Sequence, residues 1–110
     1  MLDLRLYMLQ RLSAMAMIPF VFVHLGVMIY AIQGGLSAAE ILGRTQGSWG
    51  WFLFYGGFVL AVAVHAAIGL AVVMAETAGW RGRRFTAVGL GSFLLLAGMG
   101  ARAVWAVTLA

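Results

Sequence analysis

The chain has two histidines, His24 and His65, and each lies near the middle of its own long, largely apolar stretch. An ionisable side chain at membrane depth is costly and is retained for a purpose. For a buried imidazole that purpose is most often to ligate a cofactor, haem above all. A single such histidine can equally well hydrogen-bond a neighbouring helix. Two of them, with little else polar between the ends of their spans, favour ligation.

Their depths narrow the chemistry. His24 follows Arg11 by thirteen residues, about 20 Å of helix going outward. His65 follows Trp51 by fourteen, about 21 Å going inward. In a hydrocarbon core about 30 Å thick the two rings fall at different levels, roughly 10 Å apart. That spacing does not suit two ligands on one iron. It suits one ligand to each of two haems stacked across the bilayer, with the second ligand of each supplied by another chain.

The elements that position these rings follow from composition. Of 110 residues, 65% are hydrophobic and 9% charged, against about 25% charged in ordinary soluble domains. Such a chain belongs in a bilayer. It is expected to be an all-α membrane protein with three transmembrane helices, spanning about 11–33, 51–75 and 85–109, and with no room for a separate soluble domain. The first span is too long for the apolar core of a secretory signal. The chain has no cysteine, which excludes disulfides, iron–sulfur ligation and thioether-attached haem on this chain.

The net charge of +4 comes from arginine. The arginines sit beside the apolar spans, so they are read as orienting residues and not as a nucleic-acid surface. Arg5 and Arg11 precede the first span, and Arg81, Arg83 and Arg84 separate the second from the third. Those segments share one side, which the positive-inside rule makes cytoplasmic, N-terminus included. The connector 34–50 is polar and turn-rich, with Glu40 and Arg44 spaced as a surface helix pair. Pro19 lies inside the first span and frees the Met15 carbonyl.

Around the histidines, Arg11 can pair with a haem propionate, a lipid phosphate or a quinone head group. Ser13 can donate to a quinone carbonyl or bond back to its own helix. Gly69 lies on the face of His65 and would let a flat macrocycle approach, or let two helices pack closely. Arg102, late in the third span, would snorkel to the outer interface or neutralise the propionates of an outer haem.

Gln10-Arg11-Leu12-Ser13-Ala14, followed about fifty residues on by His65-Ala66-Ala67-Ile68-Gly69-Leu70, resembles the membrane-anchor cytochrome b subunits of succinate dehydrogenase and fumarate reductase. The three-span layout extends the resemblance over nearly the whole chain. It implies that His65 is a haem-iron ligand, that Arg11 and Ser13 line a quinone pocket, and that His24 matches the additional first-helix histidine of diheme members. Two positions depart from the family pattern. Ala71 stands where one anchor type carries arginine, and Glu76-Thr77 where another carries an Asp-Tyr pair.

The resemblance implies a haem-b-binding anchor in the cytoplasmic membrane of a bacterium, holding one or two haems shared with another chain. It further implies a flavoprotein subunit, an iron–sulfur subunit and a second membrane-anchor subunit as partners, within a larger helical bundle bathed in lipid, and quinone as electron acceptor. On this reading the chain is not an enzyme alone. The alternatives are a haem-free anchor of the same complex and an unrelated small scaffold or transporter subunit. A transporter would be expected to carry a buried acid, whereas Asp3, Glu40 and Glu76 all lie outside the spans or at their ends.

Overall fold

A computed structural model describes residues 3–110. Met1 and Leu2 lie outside the described residues. The rest forms four helices: α1 (Leu4–Gly34), α2 (Ala38–Thr45), α3 (Trp49–Ala78) and α4 (Arg83–Thr108). Helices α1, α3 and α4 are long and apolar enough to cross a membrane. The chain is therefore an all-helical protein of the multi-pass membrane type.

The first helix starts earlier than expected. Asp3 caps it, its carboxylate accepting from the Leu6 amide at 2.9 Å. At 31 residues, α1 is about 46 Å long and overruns the hydrocarbon core. Its first turns, with Arg5, Tyr7 and Arg11, therefore belong to the interface. It passes through Pro19 as one helix.

The polar connector is also more ordered than a turn. Ser37 and Glu40 form a capping box that starts α2, with Ser37 accepting from the Glu40 amide at 3.1 Å. Glu40 is thus engaged with its own helix start and does not pair with Arg44. Arg44 instead donates to the Gly35 carbonyl at 2.9 Å and lies over the Tyr30 ring at 5.4 Å. Gly35 has φ of 123°, and a Cβ there would run into the Glu40 carboxylate, so only glycine fits this turn. Thr45 donates to the Val107 carbonyl at 2.7 Å, stitching α2 to the end of α4.

α3 is the central helix. The buried hydrophobic residues are Ala63, Ala67, Ile68, Ala71 and Ala75, all on α3, together with Val104 on α4. The four alanines recur every fourth residue and make one smooth stripe. Small residues let backbones approach closely, which is how helices associate where lipid removes the usual hydrophobic drive. Gly89 of α4 faces Ala71, and Gly100 lies so close to Val59 that a Cβ would collide with it.

α1 packs on a different face of α3, with larger side chains. Phe20 stacks on Phe58 with ring centroids 5.5 Å apart and meets Phe54 at 5.4 Å. It reaches them across Gly57, where an added Cβ would lie 3.0 Å from the Phe20 ring. Pairings of Ser13 with His65, Phe20 with Phe58 and His24 with Tyr55 make α1 and α3 antiparallel. Arg5 and Arg11 thus share one end of the molecule with Arg81, Arg83 and Arg84, and α2 closes the other.

Candidate functional site

Both histidines lie at the α1–α3 contact, half-buried, and at two levels. His65 is level with Ser13, whose Oγ is 3.4 Å from its Nδ1. His24 is level with Tyr55 and Phe58, its ring meeting theirs edge-on at 6.0 and 5.6 Å between centroids. Eleven residues of α1 separate Ser13 from His24, about 16 Å of helix. The separation exceeds the roughly 10 Å expected from counting inward from Arg11 and Trp51. The helices overrun the bilayer core, so those two residues do not mark its boundaries.

Ser13 is buried. Its hydroxyl donates back to the Gln10 backbone carbonyl at 2.9 Å, and its oxygen lies 3.4 Å from His65 Nδ1, where the direction of the bond follows the imidazole tautomer. The contact braces the ring at Nδ1, as outer partners brace imidazoles that ligate through Nε2. Of the two roles open to Ser13 in the sequence, the structure shows the back-bond to its own helix.

Arg11 is placed elsewhere. It is exposed, donates to the Tyr7 hydroxyl at 3.1 Å and lies 5.7 Å from the Tyr7 ring centroid. Two residues apart on a helix, Arg11 and Ser13 point to different faces, so the chain by itself does not bring them into one pocket. Gly69 lies a turn beyond His65, and the space its missing Cβ leaves is faced by Gln10 Nε2 at 3.6 Å. The Gln10 side-chain oxygen Oε1 is buried there with no partner among the described residues. The sequence reading assigned no role to Gln10, although it stands in the quoted motif.

His24 has a different setting. The one histidine hydrogen bond among the described residues is that of His65. His24 opens instead into a cavity of about 860 Å³ between α1, α2 and α3. Its lining is apolar apart from a few groups, notably Tyr30, Arg44, Thr45 and Tyr55. A large apolar cavity with a few convergent polar groups is the usual form of a cofactor or small-molecule site. Arg102 lies exposed on α4 and is not part of this lining. Sequence spacing ties Arg44 to Glu40 and conceals that it shares a cavity with His24, since only the folding of α2 over α1 brings them together.

His65 is braced at Nδ1 by Ser13, and His24 has a large cavity beside its ring. Among the described residues no three His, Cys, Asp or Glu side chains gather to hold a bare metal ion. Haem does not require such a group, because its porphyrin supplies the equatorial nitrogens and the protein only the axial ligands. Glu76 is exposed near the arginine-rich end of α3. Ala71, which stands where one anchor type has arginine, is buried in the α3–α4 seam. No family model matches the chain, and no curated protein or solved structure matches it.

Proposed function

We propose that the chain is a haem-b-binding membrane anchor of a succinate:quinone oxidoreductase, working with a flavoprotein, an iron–sulfur subunit and a second anchor. The observation that carries this reading is the cavity of about 860 Å³ beside His24, whose ring has no hydrogen-bond partner among the described residues. The sequence resemblance supplies the enzyme; the cavity and the Ser13 contact to His65 Nδ1 support the ligand roles.

On this reading His65 and His24 each hold one haem iron, at two levels, and a facing chain completes each pair. A bound haem supplies a site that takes up and releases one electron within the bilayer. The residues of this chain set its conditions. Ser13 orients the His65 ring, the apolar walls exclude water, and the packing of α1 on α3 keeps both imidazoles at fixed levels. Arg11 and Tyr7 lie at the arginine-rich end, which the charge rule makes cytoplasmic, beside the docked hydrophilic subunits and the quinone head group.

A second reading has one observation in its favour: the Ser13–His65 contact also suits a histidine that only ties α1 to α3. Reduced-minus-oxidised absorption spectra of the purified complex separate the two. Sharp b-type bands support haem ligation, and a colourless complex supports the tie. The quinone role is tested at Arg11. Arg11→Ala should lower quinone reduction by about tenfold or more, the scale of a lost charge-assisted contact, while succinate oxidation with a soluble dye stays intact. Equal loss of both would make Arg11 a docking residue.

A further inference from the structure

We infer that Arg44, carried on α2, is the counter-cation for the acidic edge of the ligand seated on His24; this deepens the haem reading and rests on it. The argument is geometric. His24 and Arg44 line the same cavity, whose other walls are mostly apolar. Tyr30 lies six residues beyond His24 on α1, about 9 Å along the helix toward the α2 end. The Arg44 guanidinium sits over that Tyr30 ring at 5.4 Å. A flat ligand bound at His24 and reaching toward the α2 end therefore meets Arg44 at its edge.

The guanidinium is held for this role and not used up by it. One nitrogen donates to the Gly35 carbonyl at 2.9 Å, and the central carbon lies 5.4 Å from the Tyr30 ring centroid. A guanidinium has five donors, so an edge remains for a carboxylate in the paired geometry arginine favours. The support beneath it is firm. The capping box fixes the start of α2, and Thr45 bonds α2 to the end of α4 at 2.7 Å. A cation fixed at the mouth of an apolar cavity selects a ligand with an apolar body and an acidic rim. Haem b, with its two propionates, is such a ligand. Arg102, the other arginine in the half of the molecule nearest α2, lies outside the cavity.

The test uses the complete membrane complex and redox titration followed by absorbance, with the His24-bound haem identified as the one missing in His24→Ala. Arg44→Gln should make that haem about tenfold harder to reduce, a fall of about 59 mV for a one-electron couple. Arg44→Lys should restore most of the shift, because it keeps the charge. Arg102→Gln and the His65-bound haem should be unaffected. The inference is overturned if Arg44→Gln leaves the His24-bound haem unchanged, or if Arg102→Gln produces the shift. It is also overturned if Arg44→Lys is as damaging as Arg44→Gln, which would make Arg44 only a clasp for α2. A wild-type complex without haem would overturn the underlying reading instead.

Discussion

His65→Ala removes one haem from the assembled complex and leaves the other in place. The expectation follows from the two levels: Ser13, which touches His65, and His24 are eleven positions apart on α1. At about 16 Å of helix, the loss of one ligand does not reach the other. Haem content should fall by about half, since iron held by one imidazole of a pair is not retained. His24→Ala should remove the complementary half. Ser13→Ala offers a graded version of the same test. It removes the hydroxyl that contacts His65 Nδ1, and loss of such an outer partner typically costs 10–100-fold in metal affinity. The spectrum of the His65-bound haem should weaken while that of the other stays. If His65→Ala left the haem content whole, the ligand assignment would be wrong, and if it removed both haems, the two rings would not be independent sites.

Gly100→Leu is expected to cost the chain more stability than substitution at an exposed position of the same helix. An added Cβ at Gly100 would collide with the Val59 side chain across the α3–α4 contact. Overpacking of this kind typically costs about 1–3 kcal/mol, and where helices are held by close backbone approach they must move apart to accommodate it. Thermal unfolding in detergent should show the midpoint lowered. Leu94→Ala, at a site 67% exposed on α4, should change little by comparison. Equal effects of the two substitutions would mean that close approach at Gly100 is not what joins α3 to α4.

The three long helices were legible because lipid demands them: long apolar runs closed by Arg81, Arg83 and Arg84 or flanked by Trp49 and Trp51 admit no other backbone state. The placement of both histidines at different depths was equally legible, since it follows from helix rise alone. The α3–α4 seam was harder to read. Gly69 shares the face of His65 and reads as a packing residue, yet the stripe that packs is Ala63, Ala67, Ala71 and Ala75. The two faces differ by two residues, about 200° around a helix, and nothing in an all-apolar span marks which small-residue face meets a partner.

The connector failed for a different reason. Glu40 and Arg44 have the spacing of an ion pair, but Glu40 is drawn to the Ser37 amide by the capping box and Arg44 to the Gly35 carbonyl. Backbone groups freed at a helix start and at a glycine turn outcompete an exposed ion pair of small value. Arg44 is thereby turned toward the cavity of His24. Ser13 was legible as a polar residue at the right helical position. Only the antiparallel register of α1 on α3 shows that its partner is His65.

The most direct test is a pyridine haemochrome assay on the purified membrane complex, with haem counted against flavin. Two b-type haems per flavin in the wild type, falling to one in His65→Ala and one in His24→Ala, is the result expected of imidazoles that hold iron at two depths. A complex that retains flavin and its iron–sulfur clusters but yields no haem would contradict it.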